Sequence, residues 1–153
     1  MEATYTDLGR DDIPKLIGVS SITLRNQHVQ AEASDELAGA KRLGSDKAEG
    51  KQFVGAIEHD GYLRFAKVPL QGLRRIVVRV ASAGAGGSIE IHRGSPGGPL
   101  LGSTSVEVNG SWEQFYARAI ELEPATGRDD LFVVFKNAKN RGGLMNIDSL
   151  DFQ

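Results

Sequence analysis

Apolar and polar positions alternate with a period of two through much of this chain, most regularly across Arg75–Gly94. Ile76, Val78 and Val80 alternate with Val77, Arg79 and Ala81, and beyond a glycine-rich tip Ile89 and Ile91 alternate with Glu90 and His92. Successive side chains of a strand point to opposite faces, so each half reads as a strand with one dry face. The tip, Gly84–Gly87, tolerates positive φ and lets the chain reverse tightly. The stretch predicts a hairpin that packs Ile76, Val78, Val80, Ile89 and Ile91 on a core. Arg79, Glu90 and His92 fall on the opposite face, where Arg79 and Glu90 form a cross-strand ion pair.

Further short strands follow from the same pattern. Ile22–Arg25 and Val29–Ala33 flank a turn at Asn26–Gln27, and Phe53–Glu58 and Tyr62–Lys67 flank the Asp60–Gly61 turn. Ser103–Val108 and Trp112–Leu122 flank Asn109–Gly110, and Leu131–Phe135 and Leu144–Phe152 close the series. Asp35–Lys51 carries four acidic residues, four basic residues and three glycines and reads as a long solvated loop. Residues 1–24 are poorly patterned, with a turn at Asp11, Asp12 and Pro14 and a short edge strand over Leu16–Val19. They read as a lead-in to one unit spanning 25–153. About ten strands spaced by turns, with no amphipathic helix, predict an all-β fold: a two-sheet antiparallel β-sandwich of the jelly-roll type.

Composition narrows the function. A chain of 153 residues is long enough for one well-buried core. A net charge of -2 without a basic block argues against a nucleic-acid partner, and no apolar run reaches membrane-spanning length. The absence of cysteine excludes thiol catalysis, disulfides and a thiolate zinc site. Glu2–Asp12 is polar and acidic, unlike a signal peptide, so the chain is either cytoplasmic or a piece of a longer secreted protein.

Catalytic signatures are missing. His28, His59 and His92 lack metal-pair spacing, no nucleophile elbow surrounds any serine, and the Gly84–Gly87 run leads into a strand rather than a phosphate-cradling helix. No carboxylate pair is singled out for glycoside hydrolysis. Two constellations stand out. Gln30 and Glu32, two apart, share a strand face; with Asp148 beside them they offer hard oxygens suited to calcium, although on spacing alone polar decoration near the chain ends is the preferable reading. Trp112, the single tryptophan, follows the Asn109–Gly110–Ser111 turn, where an indole either stacks on a sugar ring or fills the core.

Taken in order, these segments resemble a family 6 carbohydrate-binding module from about Val29 to Phe152. Gln30-Ala-Glu32 is similar to the family's first strand, and Gly50–Ile57 with Asp60–Phe65 to its next two. Val78–Ser82 and Gly86–Arg93 match its V-R-V-A-S and G-G-x-I-E-I-R segments almost literally. Gly94–Gly102, Asn109–Trp112, Asp130–Phe135 and Asn146–Phe152 follow in the family's order. The resemblance implies a noncatalytic, monomeric module that tethers a larger secreted or cell-surface bacterial protein to a polysaccharide or oligosaccharide, covalently linked to parent domains. It implies a structural calcium held by Gln30, Glu32 and Asp148. It also implies a loop-end glycan site in which two aromatic rings clamp a sugar and an asparagine bonds it. Trp112 and Asn146 match one ring and the asparagine; Ala56 stands where the other ring belongs. Glu58 and Tyr62 join the candidate ligand-binding set, and Phe115, Tyr116 or the 139–141 loop are possible substitutes for the missing ring. A sheet-face site at Arg79, Glu90 and His92 is the second choice. The departure at Ala56 leaves an alternative: a calcium-stabilised spacer or protein-interaction module that has lost sugar binding.

Overall fold

A computed structural model describes residues 27–153, together with two short strands nearer the start, β1 (Glu2–Thr6) and β2 (Ile17–Ser21), which pair antiparallel. The expected turn at Asp11, Asp12 and Pro14, residue Leu16, and the Ile22–Arg25 strand lie outside the described residues.

The strands that follow are β3 (His28–Gln30), β4 (Glu36–Ala38), β5 (Lys41–Gly44), β6 (Gln52–Gly55), β7 (Tyr62–Pro69) and β8 (Arg75–Ala81). After them come β9 (Gly87–Arg93), β10 (Leu100–Val106), β11 (Tyr116–Glu121), β12 (Arg128–Lys136) and β13 (Asn146–Phe152). They form two facing sheets, one ordered β10-β9-β12-β7-β4 and the other β11-β8-β13-β6-β5, with β3 paired to β13. Every pairing is antiparallel, so the described residues form the all-β sandwich that the alternation predicts. Ile76, Val78 and Val80 from one sheet and Ile89, Ile91, Leu131, Val133 and Phe135 from the other are fully buried between them. Each such side chain contributes about 1.5–3 kcal/mol by leaving water.

The predicted hairpin of β8 and β9 does not form. The two strands lie in different sheets, β8 between β11 and β13, and β9 between β10 and β12. The Gly-rich tip is an arch over the core, and the expected Arg79–Glu90 ion pair is replaced by separate partners for each. The turns at Asp60–Gly61 and Asn109–Gly110 are arches too, since β6/β7 and β10/β11 also divide between the sheets. A facing sheet buries the same alternate residues that a neighbouring strand would, so alternation fixes the inward side without naming the partner. Asp35–Lys51 is also more ordered than expected. It holds β4 and β5, and a 3-10 turn at Glu49–Lys51. All four residues of β5 are exposed, so no hydrophobic alternation marks it.

Candidate functional site

Four connections meet at one end of the sandwich: Ser82–Gly86, 107–115, 137–145 and 56–61. Ser82, fully buried, ties three of them. Its hydroxyl donates to the Leu144 carbonyl, its amide donates to Asn109 Oδ1, and its carbonyl accepts from the Asn109 and Gly110 amides. Between the loops and the edge of β5 and β6 opens a cleft of about 660 Å³, lined by Leu43, Phe53, Ala56, Gly110, Ser111, Trp112, Glu113, Gly143 and Asn146.

Trp112 is 40% exposed there. Its ring rests on backbone: a Cβ added to Gly84 would lie 2.5 Å from Trp112 Cη2 and 1.9 Å from the Gly143 carbonyl oxygen. Asn146, the first residue of β13, donates from Nδ2 to the Trp112 carbonyl at 2.7 Å. Only the amide nitrogen can donate to a carbonyl, so Oδ1 is left as the open acceptor, directed toward Gly55. Leu43 Cδ1 approaches Gly55 as well. The Asn146 amide thus bridges a wall carrying Trp112 and a wall carrying Leu43. Ala56, at φ 50°, adds no ring. Of the possible substitutes, Phe115 packs edge-on against Phe53 at 6.0 Å, and the Tyr116 hydroxyl donates to the Glu107 carbonyl. Neither they nor residues 139–141 line the cleft.

Further along β13, Asp148 is fully buried. Gln30, Glu32 and Asp148 converge around the Glu49–Gly50 turn. Gly50 lies beside Glu32 Oε1 and the Gln30 carboxamide, and the Glu49 amide donates to Asp148 Oδ1 at 2.9 Å. Gln30 and Glu32 meet through a 3-10 turn at Ala31–Ala33 instead of sharing a strand face. Gln30 Oε1, Glu32 Oε2 and Asp148 Oδ2 are buried without any hydrogen-bond donor. Desolvation pushes the Glu32 and Asp148 carboxyls above their ordinary range, and Asp148 repulsion raises Glu32 further. Arg79 Nη1 lies 2.7 Å from Asp148 Oδ2, a charge contact lacking hydrogen-bond alignment, and the guanidinium also covers the Phe115 ring. Arg79 and Arg42 stand against Glu32, Glu49 and Asp148, which leaves a net negative balance beside three oxygens that lack a hydrogen-bond donor. Such a set fits a hard divalent cation.

Two candidate residues stand apart from the cleft. Glu58 is exposed and shapes its turn through backbone bonds with Gly39 and Gly61. Tyr62 sits on β7, its hydroxyl donating to Glu36 and its ring meeting Phe132 edge-on. The second-choice surface is divided, because Arg79 and the Glu90–His92 pair belong to different sheets. His92 Nε2 contacts Glu90 Oε2 at 2.9 Å, and its Nδ1 contacts the Gly98 carbonyl at 2.7 Å, fastening the β9–β10 connection.

Sequence reasoning missed Leu43, Phe53 and Glu113. Leu43 lies in a charged stretch with no periodicity, and its exposed strand gives no signal. Phe53 reads as core, which it mostly is, at 6% exposure. Glu113 was detectable only as the neighbour of Trp112.

The model of the carbohydrate binding module family 6 matches residues 30–153. Among solved structures, a β-1,3-glucan-binding module of this family from Bacillus halodurans shares 34% identity, with a TM-score of 0.75 over 82% of this chain and 94% of that one. A module from Clostridium cellulolyticum, solved with xylose, shares 28% identity at a TM-score of 0.75 over 82% and 95%. A Bacillus subtilis arabinoxylan arabinofuranohydrolase of glycoside hydrolase family 43, solved with cellotetraose, shares 26% identity at a TM-score of 0.76. There the match covers 89% of this chain but 29% of the enzyme, so the shared part is one portion of a larger protein. With the family model spanning four-fifths of its length, this chain belongs to carbohydrate binding module family 6.

Proposed function

We propose that the loop-end cleft holds the glycan, with Trp112 as the stacking platform and Asn146 Oδ1 accepting a sugar hydroxyl. The observation that carries this reading is an indole 40% exposed at the wall of a 660 Å³ cleft while its backbone is pinned by Asn146. Exposing a tryptophan costs burial energy, and a ring seated on glycine backbone enters binding already ordered. The solved relatives named with xylose, β-1,3-glucan and cellotetraose favour a β-linked glucan or xylan. Residues 1–24 act as a lead-in, and the module tethers a longer extracellular protein to the polymer. A calcium ion beside Gln30, Glu32 and Asp148 would neutralise the buried carboxylates and supply no chemistry to the glycan.

Ala56 favours a second reading, a spacer without sugar binding, because the cleft has one exposed ring where clamping uses two. Titration with xylan, laminarin and cello-oligosaccharides, followed by Trp112 fluorescence, separates the two. The expected result is saturable quenching or a spectral shift, lost in Trp112→Ala. Silence with every polymer, and no retardation on any of them in a gel, would leave the spacer.

A further inference from the structure

We infer that Glu113 makes this cleft selective for uncharged glycans and turns away those carrying carboxylate or sulfate groups; the inference rests on the cleft being the glycan site. Glu113 is the one charged side chain among the residues lining the cleft. It is held in place, since the Ser45 hydroxyl donates to Oε1 at 2.5 Å from the loop between β5 and β6. That hydrogen bond, with Lys47 behind it, holds the carboxyl below the usual carboxylate range, so it is ionised at neutral pH. Lys47 Nζ stands 3.5 Å from Oε2, with its side chain 72% exposed against 37% for Glu113, so solvent weakens the pair and leaves negative charge beside the cleft.

Asn146 spends one amide proton on the Trp112 carbonyl and keeps Oδ1 as an acceptor beside its second N–H. The Ser111 oxygen already accepts from the Glu113 and Gln114 amides, which leaves one hydroxyl proton to give. Asn146 Oδ1 and the Glu113 carboxylate offer acceptors to sugar hydroxyls, and of the two only Glu113 carries charge. A sugar ring bearing hydroxyl groups donates to both acceptors. A carboxylate or sulfate ester donates nothing and is repelled by the Glu113 charge, a repulsion that salt screens.

The test compares laminarin and cello-oligosaccharides with their C6-carboxylate derivatives by titration calorimetry at low and moderate salt. The wild-type chain is expected to prefer the neutral form by roughly tenfold at low salt, with the preference shrinking as salt rises. Glu113→Gln should collapse the neutral-to-acidic ratio toward unity, whereas Lys47→Ala, which uncovers the carboxylate, should widen it. Equal wild-type affinity for both forms, or a ratio unmoved by Glu113→Gln, overturns the inference while leaving the cleft as a glycan site. Failure to bind any form overturns the cleft assignment itself.

Discussion

At the scale of single residues, the cleft carries one exposed ring, Trp112, and an alanine at position 56. Ala56 contributes almost nothing, but Leu43, 39% exposed and leaning over Gly55, gives the cleft a second apolar wall. Covering that half-exposed side chain with a ligand is worth about 1 kcal/mol, close to fivefold in affinity. Leu43→Ala is therefore expected to weaken glycan binding about fivefold by calorimetry while leaving the thermal midpoint nearly unchanged. An unaltered affinity would mean that the ligand rests on Trp112 alone. The two walls were not equally legible. A lone tryptophan after an Asn–Gly–Ser turn attracts attention on chemistry alone, whereas a leucine between Arg42 and Gly44 looks like any exposed residue until the fold brings β5 to the rim. Gln30, Glu32 and Asp148 were legible as oxygen donors, but the 3-10 turn that gathers the first two was not.

At the scale of elements, β12 and β7 are joined through a register shift between Asp129 and Leu131. Asp130 repairs the ladder there: Oδ1 accepts from the Lys67 amide and Oδ2 from Arg64 Nε, both at 2.9 Å. Lys67 adopts φ 54°, so the carboxylate anchors an otherwise unfavourable backbone. The Lys67 amide, then Arg64, hold the Asp130 carboxyl below its ordinary value of 3.8. Because the folded value is depressed, the stability Asp130 provides is present above pH 3.8 and disappears as the pH falls through the lower folded value. Asp130→Asn should thus melt below wild type at pH 7, with the gap closing in strong acid; a gap that stays constant with pH would exclude this electrostatic role. The elements themselves were largely readable, since β7, β8, β9 and β12 all alternate or run apolar. Their partners were not, because Asp60–Gly61, Gly84–Gly87 and Asn109–Gly110 provide the same backbone freedom to an arch as to a hairpin.

Across the whole molecule, β13 connects everything described above. Asn146 at its start lines the cleft, Asp148 lines the pocket it shares with Gln30 and Glu32, and Asp151 bonds His28 of β3 at 2.6 Å. Arg79, Phe115 and Phe53 form a second line from the pocket to the cleft wall. If calcium occupies the pocket, a chelator should lower the melting temperature, with each 1 kcal/mol appearing as roughly 2–4 °C, and should weaken glycan binding as well. Glu32→Ala should melt lower from the outset and no longer respond to chelator. A wild-type melt indifferent to both calcium and chelator would assign the pocket's charge balance to the protein's own cations, Arg79 and Arg42. The position of β13 also has a mechanical meaning. The Phe152 amide donates to the Gln27 carbonyl, so both ends of the described sandwich lie together at the end of β13 remote from Asn146, about 20 Å from the cleft. Tension between a bound polymer and either end of the sandwich therefore runs lengthwise along β13, flanked by β8 on one side and by β3 and β6 on the other. Their hydrogen bonds stand perpendicular to that pull and share it in shear, instead of opening one after another like a zip.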